Sequence, residues 1–311
     1  MPYKLLTYAM GRDARAGLLV GDTVYDAAKA TGVPAYTRVL GMLEDWRKAQ
    51  PALARAASRL ATGTSRLTGS PVARARLLAP VLYPGAIFCA GANYRDHMLE
   101  MARVSGNPPE KDPHELGLKP WHFIKTSRSS VVGPGARVPL PAFSEKVDWE
   151  VELAAVIGRP ARNVSIDKAL AYVAGYTIAN DLSARDVGRR PHVADASPFK
   201  MDWLSQKCFE GSCPLGPWIV PTTEIPDPQK LAMKLWVNDE LMQDSHTSQM
   251  IFTTAEQIAH LSTRVTLQPG DLVLTGTPAG VGMGRGRFLK SGDTVRLWIE
   301  GIGELTNGVK L

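Results

Sequence analysis

The sequence predicts an α+β protein in which strands dominate, preceded by a small mixed α/β unit. Three observations carry that reading. From Pro84 onward, short strand-like runs alternate with Pro and Gly punctuation, and only a few helical stretches intervene. No G-x-G-x-x-G follows a strand, so a doubly wound, dinucleotide-binding sheet lacks its signature. Two alternating segments fold back on themselves, LAMKLWVNDELMQDS about Asn238-Asp239 and DTVRLWIEGIGELTNG about Gly301-Ile302-Gly303.

Taken in order, KLLTYAMGRDARAGLLVGDTVYDAA reads as short strands broken by polar turns, and TRVLGMLEDWRKAQPALARAASRLA carries apolar residues at helical spacing. TGTSRLTGSPVA then breaks the periodicity with Gly, Ser, Thr and Pro, which places a boundary near residue 75 between a small N-terminal domain, 1–75, and a larger one, 76–311. The charged, Pro-rich stretch 101–118, MARVSGNPPEKDPHELGL, follows a helical run and is unsuited to a core; a mobile lid and a passive surface excursion both fit it. TTAEQIAHLS is a helix whose Thr253 and Glu256 stand at capping-box spacing. No solenoid-length repeat is present.

The 311 residues are 44% hydrophobic and 21% charged, the composition of an ordinary globular chain. A net charge of +6 would admit a polyanionic partner, but the basic residues are scattered, with no run of five and no basic stripe interleaved with aromatics. Nucleic acid is therefore not expected. Three cysteines, Cys89, Cys208 and Cys213, are too few for a disulfide framework, and the longest apolar runs, such as LAAVIG, fall far short of the roughly twenty residues that span a bilayer. No membrane association is expected, and a reducing cytoplasm is.

The chemistry concentrates in Val147-Asp148-Trp149-Glu150-Val151-Glu152-Leu153. Strict alternation would put Val147, Trp149, Val151 and Leu153 on one strand face and Asp148, Glu150 and Glu152 on the other. That second face continues into Ala154 and Val156, so the carboxylates should be partly buried, where like charges must take up protons or bind a cation. Asp181, at the end of the strand-like GYTIAN, adds a further carboxylate. All-oxygen ligation selects a hard ion, Mg²⁺, Mn²⁺ or Ca²⁺, over zinc. His97 and Glu100, three apart, would be neighbours on a helix, where the carboxylate can orient the imidazole and raise its basicity. In LTGTPAGVG, Gly276 and its neighbours would let backbone amides approach an anion, although the Lys-Ser/Thr ending of a P-loop is missing.

NYRDHMLE, DWEVELAAVIG, GYTIANDLSARD, QKCFEGSCPLGPWIVP and LTGTPAGVG, in this order, resemble the fumarylacetoacetate hydrolase family from about residue 84 to the C-terminus. The resemblance implies a mixed β-roll or β-sandwich catalytic domain, a homodimer, and a divalent ion held by Glu150, Glu152 and Asp181. It further implies a lid dyad of His97 and Glu100, an active-site Lys207, and substrate contacts from Arg185, Thr277 and, less directly, Lys125. The expected activity is hydrolysis of a C–C bond in an acylpyruvate-like 2-oxo acid by way of an enolate, with His97 activating water. Decarboxylation of an oxaloacetate-like acid and keto–enol isomerisation use the same chemistry and stay open, and a catalytically idle binding protein is the alternative of another class.

Overall fold

The computed structural model describes all 311 residues. Alternating residues pull its strands into one large mixed sheet and one smaller antiparallel-rich sheet. The large sheet runs in the order Ser70–Pro71, Thr23–Asp26, Asp13–Val20, Lys4–Met10, Cys213–Pro221, Val173–Asn180, Val151–Ile157, Leu272–Leu274, Ile87–Ala90, His122–Lys125. The smaller sheet runs Glu240–His246, Ala232–Val237, Thr294–Ile299, Gly303–Lys310, Arg137–Pro139. Both expected hairpins are present, Ala232–Val237 with Glu240–His246 and Thr294–Ile299 with Gly303–Lys310. At the first, Asn238 adopts φ 56°, a conformation that Asn tolerates better than most residues.

The strand Val151–Ile157 shows how the sequence divides the interior. Val151, Leu153, Ala155 and Ile157 pack into a core shared with the smaller sheet, while Ala154 and Val156 pack into a second core with the N-terminal helices. Period-two alternation is thus apolar on both sides, as a strand buried on both faces requires. The second core takes Leu5, Leu18, Trp46 and Leu53 from the N-terminal segment and Leu215, Ile219 and Leu274 from the rest of the chain. The helical expectation there resolves into two helices, Val39–Glu44 and Trp46–Ala61. Strand Lys4–Met10 pairs with Cys213–Pro221, so the N-terminal unit and the remainder share a sheet as well as a core.

Two local expectations are corrected. Val147 to Leu153 is not one strand: Val147–Asp148 pairs with Ser183–Ala184, the ladder breaks at Trp149 and Glu150, and a second strand begins at Val151. The 101–118 stretch does not begin after its helix; Arg95–Ser105 carries the helix into it, and Gly106 in the left-handed region ends the turn. The Gly-containing CPLGPW forms part of the strand Cys213–Pro221. Helix Thr254–Arg264 forms as expected, with the Thr253–Glu256 capping box closed. No helix is long and apolar enough to cross a membrane.

Candidate active site

Pairing places the carboxylates. Val151 lies opposite Asn180, and Glu152 opposite Ala179, on adjacent antiparallel strands. The residue before one strand and the residue after the other, Glu150 and Asp181, therefore meet: the Asp181 amide donates to the Glu150 carbonyl at 2.9 Å, and the Glu150 amide donates to Asn180 Oδ1 at 3.0 Å. Carboxylate oxygens of Glu150, Glu152 and Asp181 lie within 4.8 Å of one another, all three side chains buried. Asp148 does not join them. Its oxygens accept from the amides of Gly282 (2.6 Å) and Met283 (3.0 Å) and from Arg185 Nε (2.9 Å), so it anchors a loop and the guanidinium.

Three cations hold this acidic centre. Lys207, at the end of helix Trp203–Lys207, donates to Glu150 Oε2 at 2.9 Å and Asp181 Oδ2 at 2.7 Å. Lys125, at the end of its strand, donates to Asp181 Oδ1 at 2.6 Å and to the Leu182 carbonyl at 3.1 Å. Arg185 bridges Asp148 and Glu150, reaching the latter at 2.5 Å. Burial raises the carboxyl pKa of Glu150, but the charges of Lys207 and Arg185 override it and hold the group down at about 2. Lys207 moves the other way: burial disfavours its charge, and Asp181 and Glu150 more than restore it.

Glu152 has no such cation. It accepts a hydrogen bond from the Gly276 amide at 2.7 Å, and burial, reinforced by Asp181 and Glu150, pushes its carboxyl well above the usual range. Four buried carboxylates, Asp148 included, thus face three cations, and the uncompensated charge falls on Glu152. This is where a divalent ion fits. The donor set is all oxygen, which suits a hard cation. Each carboxylate oxygen also has more than one lone pair, so Glu150 and Asp181 can keep their ammonium partners while offering a ligand atom.

A cavity of about 120 Å³ opens onto this centre, lined by Glu150, Glu152, Arg185, Lys207, His97 and Thr277. His97 and Glu100 are neighbours on helix Arg95–Ser105, with Nδ1 3.5 Å from Oε2, an ion-pair distance rather than a formed hydrogen bond. Burial would raise the Glu100 carboxyl, but His97 and the Gly280 amide, which donates to both its oxygens at 3.0 Å, bring it below its ordinary value. Thr277 reaches the cavity with its hydroxyl donating to the Val151 carbonyl (3.0 Å) and accepting from Gln243 Nε2 (2.9 Å), which fixes its orientation and leaves one lone pair for a ligand. Gly276 and Lys125 lie behind the wall, the first orienting Glu152 and the second Asp181.

Sequence reasoning missed the roof. Trp121 and Trp203 stand 5.3 Å apart between ring centroids, Phe123 stacks on Trp203 at 5.6 Å, and all three line the cavity beside Gln206. Lys207 Nζ lies 4.8 Å from the Phe123 ring. Trp203 stands three residues before Gln206 and four before Lys207 on one helix, so a Trp one turn before the Gln-Lys pair was the available signal.

The family model described as the C-terminal part of fumarylacetoacetate (FAA) hydrolase matches residues 86–310. A rat (Rattus norvegicus) protein named oxaloacetate tautomerase Fahd2a, mitochondrial, is 43% identical over 242 residues, 77% of this chain and 71% of its own. Maleylpyruvate hydrolase from Sphingobium sp. SYK-6, solved in complex with manganese(II) and pyruvate, superposes with a TM-score of 0.73 at 29% identity, covering 99% of this chain and 98% of that one. The 2-hydroxyhepta-2,4-diene-1,7-dioate isomerase from Mycobacterium marinum does so with a TM-score of 0.70 at 32% identity, again over 99% and 98%. These are enzymes of tautomerase, hydrolase and isomerase type on one architecture. With the family model matching residues 86–310, 71% of the relative's span shared and the family's motifs meeting at one acidic centre, the chain belongs to the fumarylacetoacetate hydrolase family.

Proposed function

We propose that this chain is a divalent-metal-dependent enzyme that interconverts the enol and keto forms of a small 2-oxo diacid of the oxaloacetate type. The observation that carries it is the cavity: about 120 Å³, flanked by aromatic side chains and lying directly on Glu150, Glu152 and Lys207, it suits a compact acid better than an extended one. The similarity to a protein named oxaloacetate tautomerase supports the same emphasis. The ion we propose is Mg²⁺ or Mn²⁺, held by Glu150, Glu152 and Asp181. The assembly we propose is a homodimer, and the compartment a reducing cytoplasm, in keeping with three free cysteines.

When bound, the ion supplies Lewis acidity to a carbonyl or enolate oxygen. The chain's own residues do the rest. Lys207, fixed between Glu150 and Asp181, brings positive charge to the cavity and stabilises an enolate oxygen as its charge develops. His97 holds and moves the proton, and Glu100, pinned by the Gly280 amide, keeps the imidazole turned toward the cavity. Trp121, Phe123 and Trp203 present apolar surface beside the cavity, which lessens the screening of these charges by water. Arg185, with two nitrogens committed to Asp148 and Glu150, sets the positive edge against which an anionic substrate lies.

C–C hydrolysis of an acylpyruvate is the second reading, favoured by one feature: the His97–Glu100 pair suits activation of water as well as carbon protonation. One experiment separates the two. The metal-loaded protein is given enol oxaloacetate, followed by its ultraviolet absorbance, and maleylpyruvate, followed by pyruvate release. Faster loss of the enol with Mn²⁺, abolished by chelator, supports tautomerisation; no acceleration with Mn²⁺ or Mg²⁺ would remove it. Pyruvate released from maleylpyruvate and lost in His97→Ala would put hydrolysis first.

A further inference from the structure

A cleft of about 530 Å³ lies where the strand Asp13–Val20 and the start of helix Val39–Glu44 meet Leu82-Tyr83 and the loop after strand His122–Lys125. Arg15, Arg38 and Arg128 line it, with Tyr83, Thr37 and a single carboxylate, Asp13. We propose that this cleft binds a small polyanion bearing phosphate or carboxylate groups, separately from the catalytic cavity.

Four observations point the same way. The arginine ion pairs of the chain are made by Arg95, Arg185, Arg189, Arg190, Arg287 and Arg296; the three cleft arginines make none. Nor do their side chains donate to any protein acceptor, although other arginines cap carbonyls freely. Arg15 Nε is buried without any hydrogen-bond partner. A buried donor left unmade costs about 1–3 kcal/mol, a cost that an anion's oxygen would relieve. Arg128 lies over the Tyr83 ring, 5.0 Å from its centroid, which holds its planar fork in place before any ligand arrives.

Three guanidiniums against one carboxylate make the cleft positive, and the fork geometry of each matches the paired oxygens of phosphate or carboxylate. Ala14, Val39 and Leu82 supply apolar wall, where the attraction is less screened than on an open surface. The position suggests what occupancy would do. Arg128 stands three residues beyond Lys125, whose ammonium holds Asp181, so a ligand on Arg128 restrains the segment that positions one of the three clustered carboxylates. The cleft shares no lining residue with the catalytic cavity, so a ligand there acts from outside it.

The test is calorimetric titration of the full, metal-loaded chain with inorganic phosphate and, separately, with tricarballylate, both at fixed ionic strength. Saturable binding of at least one probe is expected, weakened tenfold or more in Arg15→Ala and in Arg128→Ala and little changed in Glu150→Gln, which alters only the catalytic centre. Arg128 is exposed and supports no core, so its variant tests the site even if Arg15→Ala folds poorly. The relative affinity of the probes decides between phosphate and carboxylate ligands. Heat no larger than that of matched sodium chloride, binding that survives both arginine variants, or binding lost in Glu150→Gln alone would each overturn the proposal.

Discussion

At the scale of single residues, the centre is governed by a mismatch of charge. Glu150 and Asp181 are neutralised by ammonium and guanidinium groups, whereas Glu152 is not. A carboxyl whose pKa is raised on folding contributes stability that is present at low pH and lost as pH rises, so at neutral pH the metal-free protein carries Glu152 at a cost. Glu152→Gln should therefore melt no lower than the metal-free parent, while losing about 100-fold or more in Mn²⁺ affinity together with turnover. Thermal melts with chelator and a calorimetric Mn²⁺ titration read the two effects; a variant that keeps the parent's affinity would exclude Glu152 as a ligand. Lys207→Met is the converse. It leaves Glu150 with Arg185 and Asp181 with Lys125 as their remaining cations, so four buried carboxylates face two positive groups, and it should cost about 3–5 kcal/mol in urea unfolding at pH 7. Glu150, held at about 2, contributes stability above its ordinary carboxylate range that is lost as pH falls toward 2. In Lys207→Met that acid loss should begin at higher pH.

At the scale of elements, the backbone around Leu272–Leu274 does work that side-chain patterns do not reveal. Gly276 sits at φ +93°, and a Cβ there would come 2.9 Å from the Cβ of Asn93, whose amide is fixed to the carbonyls of Phe252 and Thr275. Gly276→Ala has no relaxed conformation and no yielding neighbour; it should lose about 1–3 kcal/mol of stability, and Mn²⁺ affinity with it, because its amide orients Glu152. A calorimetric affinity equal to the parent's would show that this amide is dispensable. A second coupling joins strand His122–Lys125 to helix Thr254–Arg264, where His122 stacks on His260 with ring centroids 6.3 Å apart. Burial and the neighbouring His260 push His122 down to about 4. The stability this neutral imidazole contributes is complete above its ordinary value near 6.5 and is lost as pH falls toward 4, at most about 3 kcal/mol. Urea midpoints taken between pH 7 and 4.5 should fall less steeply in His122→Phe than in the parent.

Elements also mark what the sequence could convey. Both hairpins, the capped helix and the strand just before Asp181 were legible because turn chemistry and periodicity are local. The break at Trp149-Glu150 was not: it arises because Asp148 is drawn to the amides of Gly282 and Met283, more than a hundred residues away. The acidic triad could be anticipated from like charges on a burying face, but the ammonium partners of Asp181 could not, since Lys125 and Lys207 come from distant elements. The aromatic roof stayed hidden for the same reason, with Trp121 and Trp203 brought together by tertiary packing.

At the scale of the whole molecule, the shared second core sets how the chain unfolds. Removing the first 75 residues would strip Lys4–Met10 from the edge of Cys213–Pro221 and uncover Leu215, Ile219, Ala154 and Val156, all of them now buried. Each large aliphatic side chain so exposed forfeits about 1.5–3 kcal/mol, and a whole domain commonly holds only about 5–15 kcal/mol. A fragment of residues 76–311 should therefore fail to fold cooperatively, and its uncovered strand edge should drive it to aggregate. In the full chain, Trp46 from the N-terminal helix packs against Gly158 at the end of the central strand, so the two parts report on one another. Urea unfolding followed by tryptophan fluorescence and by far-ultraviolet circular dichroism should then give coincident midpoints. Two separated transitions, or a soluble 76–311 fragment with a cooperative melt, would instead mean that the N-terminal unit leans on a core able to stand without it.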